Sequence, residues 1–321
     1  MFLAGEPDER IVRRPNTRLI RLPTRRQTVR IFRELMWGDH ETVFYLKSSP
    51  ASFAYMKLRR RWNGGKVVIG TMESQSDLKN EPTIKANAIR MWEQTVLKCD
   101  YLFSNSRSVQ TSLQREYGID SEIVPTGVDT KYFTPTHEPK ANARPRVLFV
   151  GSLRPFKQPQ LLLDAALRFP QADFRIAGDG ILASELKIRI ERERLSNVVL
   201  LGPMSAPKLR DEYRSADMFL FPSKWEGSPK VILEAAACGL PVVVRNCYSP
   251  ETVVHGVTGY QAACDEEIYS FAGALLSSPE LRARLGRNGR QHSLQFDWDV
   301  ITSRWADIFE TVAARKLRKA S

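Results

Sequence analysis

Short apolar runs recur along this chain, each cut off by a glycine or a polar turn. Between them lie longer stretches whose apolar residues return every three or four positions. The runs at 42–46, 66–70, 100–106, 146–151, 173–177, 198–202, 217–221 and 241–244 predict buried strands. The periodic stretches at 26–36, 51–62, 84–98, 107–116, 159–168, 182–194, 229–238 and 299–318 predict helices. Segments 2–4 and 17–22 read as two further short strands. In 51–62 the expected apolar side is Phe53, Met56 and Leu58. The chain is expected to end in two helical stretches, the last with Ile301, Trp305, Ile308, Phe309 and Val312 at helical spacing. Strands alternating with helices imply parallel α/β sheets that bind ligands at the carboxyl ends of their strands. The pattern starts afresh at Arg146, after a segment with Pro135, Pro139 and Pro145 that reads as a linker between two α/β halves.

Composition fits that picture. A chain of 321 residues is long enough for two ordinary domains. No apolar run reaches the length of a membrane span. The first residues carry no basic region ahead of an apolar one, so no secretory leader is expected. Cys99, Cys238, Cys247 and Cys264 form no CxxC pair and read as reduced thiols of a cytoplasmic protein. The four His residues are scattered, so no metal site is expected. Net charge is +12, and residues 1–66 hold 15 Lys and Arg against 6 Asp and Glu. Such a surplus suits nucleic acid, an anionic membrane surface or acidic substrates. No zinc finger or RNP-type strand accompanies it, so nucleic acid is not expected.

Candidate chemistry concentrates in 222–241. The apolar run ending at Phe221 opens into a loop and then a helix. Ser228 is the expected N-cap, Pro229 the first helical residue, and Gly239 with Pro241 the stop. A helix start leaves N–H groups unpaired and carries positive dipole charge, so it suits an anion. The N–H groups of Lys230 and Val231 would face a phosphate, and Gly227 lets a ligand approach the backbone. Glu234 lies roughly 7 Å along the helix and leans back toward its start. Glu226 precedes the helix, on the other side of the anion. Two acceptors flanking an anion hole suit a nucleotide-sugar. The competing reading is an ordinary strand–loop–helix unit with solvated glutamates.

The stretch Pro222-Ser223…Glu226-Gly227-Ser228-Pro229…Glu234 resembles the Glu-x7-Glu signature of retaining glycosyltransferases of the GT-B fold, family four (glycosyl transferases group 1). The segment 100–106, Pro125-Thr126-Gly127-Val128-Asp129 with Phe133-Thr134-Pro135, and Gly178-Asp179-Gly180 match further landmarks of that family. The resemblance implies an α/β protein with two Rossmann-like domains, parallel sheets and a cleft between them. It implies an acceptor domain over 1–134, a donor domain over 135–298, and a final helix at 299–321 crossing back to the first domain. By resemblance Glu226 contacts the donor sugar and Glu234 the ribose. Lys157 matches the lysine that neutralises the leaving diphosphate. Around it lie Gly151, Ser152 where relatives carry Arg, and Arg154 two residues on. The loop at Met204 matches the one that holds the base through its backbone. Glu73 stands where many relatives carry His. The chain resembles the family from its second strand onward, without the usual first strand and Gly-rich loop.

The implied function is transfer of a hexose from a nucleoside-diphosphate sugar to a glycan or lipid-linked acceptor, with retention and without metal or other cofactor. A basic N-terminal face would allow peripheral association with the inner face of a membrane. Two rival readings stand beside it. One is a catalytically degenerate nucleotide-sugar-binding or scaffold protein, favoured by Ser152 and the missing first unit. The other is an epimerase, which would require acid–base groups that the sequence does not display.

Overall fold

Apolar runs become strands here wherever a polar turn releases the chain at their carboxyl end. The computed structural model describes residues 2–3, 20–21, 27–44, 48–62, 66–72, 86–136, 142–248 and 250–320. In chain order the first elements are β1 (Phe2–Leu3), β2 (Ile20–Arg21), α1 (Gln27–Trp37), β3 (Thr42–Phe44), α2 (Pro50–Trp62) and β4 (Val67–Met72). Then come α3 (Ala86–Thr95), β5 (Tyr101–Ser104), α4 (Arg107–Tyr117) and β6 (Glu122–Ile123). β1 and β2 form a parallel pair, and a second sheet has the order β3-β4-β5-β6. The chain divides into two compact units, the first running to Phe103 and the second starting at Ser104.

The first unit packs Leu35 and Met36 of α1 and Tyr55 of α2 against Val43 and Val68. The Lys66 ammonium donates to the carbonyls of Leu35 (3.0 Å) and Gly38 (2.8 Å), at the end of α1, where a helix carries negative dipole charge. In α2 the expected apolar side proves only half-buried. Ala51, Ser52, Tyr55 and Arg59 turn inward instead. Arg59 is tolerated there because its guanidinium forks onto Asp100 with two 2.7 Å hydrogen bonds.

The second unit continues with β7 (Arg146–Val150), α5 (Gln160–Arg168), β8 (Asp173–Ala177), α6 (Ala183–Glu193), β9 (Val198–Gly202), α7 (Ala206–Ser215), β10 (Met218–Phe221) and α8 (Lys230–Ala237). It ends with β11 (Val242–Arg245), β12 (Gly259–Ala262), α9 (Asp265–Ser277), α10 (Pro279–Ser293) and α11 (Trp298–Ala320). Six parallel strands take the order β12-β11-β10-β7-β8-β9. Helices cover both faces of such a sheet, so β10 and β11 are buried throughout and read as unbroken apolar runs. The direction of strand succession reverses between β7 and β10, and open α/β sheets bind ligands beyond the carboxyl ends of the strands at such a reversal.

Several expectations need correction. α7 and β12 were not anticipated, and three helices rather than two close the chain. α7 escapes notice because Tyr213 is its one buried side chain among charged residues. α10 carries Gly286, where a Cβ would meet the Gly239 carbonyl oxygen at 2.1 Å, so close packing there has removed the apolar periodicity. The carboxyl end of α8 follows expectation. Gly239 at φ 77° donates to Ala236 O, and Leu240 donates to Ala235 O.

Candidate functional site

Two loops leave the sheet where strand succession reverses. One follows β7 and runs from Gly151 through a 3-10 turn at Pro155–Lys157. The other follows β10 and runs through Ser223, Trp225 and Glu226 into α8. The first is shaped by its contact with the loop after β8. Leu153 donates to Asp179 O (2.9 Å), and Gly178 lies at φ 134° where a Cβ would sit 1.9 Å from Gly151 O. Only glycine permits that approach. The loops join where Lys224 N–H donates to Phe156 O at 2.8 Å.

That junction brings Lys157 and Glu226 together as a salt bridge, with side chains 15% and 12% exposed. Among the described residues, two donors reach this carboxylate, the Lys157 ammonium and the Ser223 hydroxyl (2.6 Å), and both bond Oε1. The ammonium also lies over the rings of Phe221 (4.9 Å) and Phe156 (5.3 Å). Phe156 in turn stacks on the partly exposed Trp225. Sequence reasoning missed Ser223, Phe156 and Trp225 as partners of the pair. The signal for Phe156 and Trp225 was adjacency to it, and for Ser223 its place in the motif that contains Glu226.

α8 begins one residue later than expected. Pro229 has ψ 116°, outside the helical region, and occupies the cap without a side-chain hydrogen bond. Ser228 is not the N-cap, because its hydroxyl oxygen accepts the Thr126 N–H (3.3 Å) instead. The leading N–H groups of α8 are therefore those of Lys230 and Val231, ahead of Ile232, which donates to Pro229 O. Gly227 is buried, and Lys230 is exposed with its ammonium 6.0 Å from the Trp298 ring.

Glu234 lies within α8 and accepts the Tyr213 hydroxyl at 3.0 Å. Burial raises its carboxyl above the usual range, against the opposing pull of that hydrogen bond and of Lys230. Tyr213 was hidden from sequence reasoning with the rest of α7.

The remaining expected residues scatter. Gly151 spends its N–H on Ala177 O (3.0 Å), continuing the sheet. Ser152 O accepts the Arg154 N–H (2.9 Å), and the Arg154 side chain is exposed. Met204 packs on the core beyond edge strand β9, two strands away from β7. Glu73 lies outside the described residues. Among the described residues no cluster of His, Cys, Asp or Glu is arranged to hold a metal ion, and no helix is long and apolar enough to cross a membrane.

Comparison with known proteins adds to this geometry. Residues 133–292 match the family described as glycosyl transferases group 1. A D-inositol 3-phosphate glycosyltransferase of Xylanimonas cellulosilytica is 30% identical over 316 residues, covering 87% of this chain and 73% of that protein. Its counterpart in Thermobispora bispora is 30% identical over 292 residues, covering 80% and 67%. Among solved structures, sucrose-phosphate synthase from Thermosynechococcus elongatus matches with a TM-score of 0.79 at 19% identity, covering 95% of this chain and 86% of that one. Anabaena HepE in complex with UDP and glucose matches with a TM-score of 0.75 at 18% identity, covering 91% and 85%.

Proposed function

This chain belongs to the glycosyl transferases group 1 family and has its α/β GT-B fold, and on that premise we propose that it is a retaining hexosyltransferase using a nucleoside-diphosphate sugar. The observation that carries this reading is the Lys157–Glu226 salt bridge at the reversal of the sheet, beside the start of α8. A helix start and a lysine at such a reversal suit a diphosphate, and a carboxylate beside them suits sugar hydroxyls.

In the proposed mechanism the donor's phosphates take the leading N–H groups of α8, Lys230 and Val231, and draw Lys157 away from Glu226. Gly151, Ser152 and Arg154 line the phosphates from the β7 loop, and Gly227 and Ser228 from the β10 loop. Glu234 holds the ribose, and the loop at Met204 holds the base. Glu226 is then free to accept from the sugar. Negative charge grows on the leaving diphosphate as the glycosidic bond breaks through an oxocarbenium-like state, and Lys157 stabilises it. The departing phosphate takes the proton of an acceptor hydroxyl attacking from the same face, which gives retention. No protein base is required. We place the donor domain at 135–298.

A thermal-shift panel of UDP-, GDP- and ADP-glucose tests donor binding. Ligand at a hundred times its dissociation constant stabilises by about 2.7 kcal/mol. Transfer is then assayed with 3-phosphoinositol, which the relatives' names indicate, and with glycan and lipid-linked acceptors. The anomeric configuration of the product reports retention. No shift with any of the three nucleotide-sugars overturns the reading. Binding without transfer favours the alternative, a donor-binding scaffold, for which Ser152 in place of the family's Arg speaks.

A lipid surface is proposed as a further partner, at the inner face of the membrane. On α1 the exposed side carries Val29 and Trp37, each 66% exposed, with exposed Arg30 and Arg33 between them. Apolar and aromatic side chains interleaved with cations suit an anionic interface.

A further inference from the structure

Tyr248 is fully buried, yet among the described residues its hydroxyl has no hydrogen-bond partner. Hiding a hydroxyl from water without a compensating bond destabilises a fold, so a native protein that does it calls for an explanation. The location supplies one. β10 and β11 are paired so that Phe221 sits opposite Val244. Glu226 lies five residues beyond the first, and Tyr248 four beyond the second. The two loops are tied together where the Cys247 thiol meets Lys224 O at 2.9 Å. Burial, and then the negative charge of Glu226, hold the Tyr248 phenol well above its ordinary range, so it stays protonated and able to donate. Among the described residues, both donors to Glu226, Lys157 and Ser223, bond Oε1 rather than Oε2.

We propose that Tyr248 is a positioning residue whose hydroxyl donates to the Glu226 carboxylate when the donor diphosphate draws Lys157 away. The proposal rests on the donor-binding reading above. In the free protein Glu226 is held by Lys157 and Ser223. With the donor bound it loses Lys157, and Tyr248 takes over. The carboxylate thereby keeps its orientation toward the sugar. The unbonded hydroxyl of the free state is the cost of having that donor ready.

Tyr248→Phe tests this in the full chain, because a structural role and a positioning role move different readouts. Removing an unbonded hydroxyl raises the melting temperature of the free protein by about 2–4 °C. Titration with UDP-, GDP- and ADP-glucose and the matching free diphosphates gives the second readout. The free diphosphate that binds the parent is expected to bind the variant within about twofold. The nucleotide-sugar is expected to bind, or to be turned over, about tenfold less well. In a Glu226→Gln background the effect of Tyr248→Phe shrinks, since the two act as one unit. A lowered melting temperature shows that the hydroxyl is already bonded in the free protein and overturns the proposal. So does a variant that binds and turns over the nucleotide-sugar as the parent does. If the parent binds none of the three nucleotide-sugars, the donor-binding reading fails first and this proposal falls with it.

Discussion

Trp225 stacks on Phe156 with ring centroids 5.9 Å apart and planes inclined by 12°. Each ring immediately precedes one member of the Glu226–Lys157 salt bridge. Two dipeptides, Phe156-Lys157 and Trp225-Glu226, thus meet with rings against rings and charge against charge. The stacked pair contributes about 0.5–1.5 kcal/mol beyond its buried area and holds the charged pair in register.

Lys157→Ala is expected to slow transfer about a hundredfold while weakening donor binding far less. Its charge matters most as the diphosphate leaves. The free protein should also melt lower, because Glu226 is left largely buried without its cation, and adding Glu226→Gln should restore part of that loss. Steady-state kinetics and calorimetry check both. An unchanged turnover number with only a raised KM would refute the role.

The two glutamates should separate by ligand. Glu234→Ala is expected to weaken free diphosphate and intact donor alike, by roughly tenfold to a hundredfold. Glu226→Ala is expected to leave diphosphate affinity nearly unchanged and to reduce donor affinity and transfer. Calorimetric titration of both variants with both ligands decides it. Equal losses for free diphosphate would reverse the assignment.

Glu234→Gln is expected to melt higher than the parent at pH 7. Burial raises the Glu234 carboxyl above 4.5, so the folded state holds this proton more tightly than the unfolded chain does. A group of that kind favours folding below its unfolded value and loses the advantage as pH rises through its folded value. The ionised Glu234 therefore destabilises at neutral pH. The gap between variant and parent should close as pH falls through the raised value to 4.5 and below. Melting curves across that window test the sign, and a gap that widens on acidification refutes it.

Gly178→Ala should destabilise by about 2–4 kcal/mol, since φ is 134° and a Cβ would collide with Gly151 O. Displacing Gly151 shifts the loop that carries Lys157, so donor affinity should fall with stability. A variant that melts with the parent would show that the approach is not close.

Vesicle sedimentation tests the exposed side of α1. The protein is expected to co-sediment with phosphatidylserine-containing vesicles at low salt and to release in high salt. Arg30→Glu with Arg33→Glu should abolish this without altering donor binding. Equal partition onto neutral vesicles would exclude an electrostatic attachment.

How much was legible follows from what each element buries. β7, β10 and β11 are buried along nearly their whole length and stood out as apolar runs. α7 buries one residue, Tyr213, and β12 has two of its four residues only partly buried, so neither left a clear pattern. In α2 the inward side holds Ser52 and Arg59, which no apolar periodicity announces, because a partner as distant as Asp100 is what makes Arg59 tolerable there. Within the site, Glu226 and Glu234 were readable as a spaced motif, and Lys157 by the resemblance of the loop after β7 to its family counterpart. Their partners were not. Tyr213 reaches Glu234 from a helix placed by strand order, which is a long-range property, while Ser223 reaches Glu226 from three residues away on the same loop.

The salt bridge between Lys157 and Glu226 lets the two charges neutralise each other where the loops meet. On the proposed reading, a lone phosphate that takes the lysine leaves Glu226, 12% exposed, on hydroxyl donors alone. A free sugar that engages the carboxylate disturbs the lysine in the same way. Leaving one buried charge uncompensated is costly, whereas replacing both partners at once is not. The pair is therefore expected to act as a two-key lock: a molecule bearing phosphate and sugar hydroxyls at the right separation turns both keys together, and a diphosphate alone turns one.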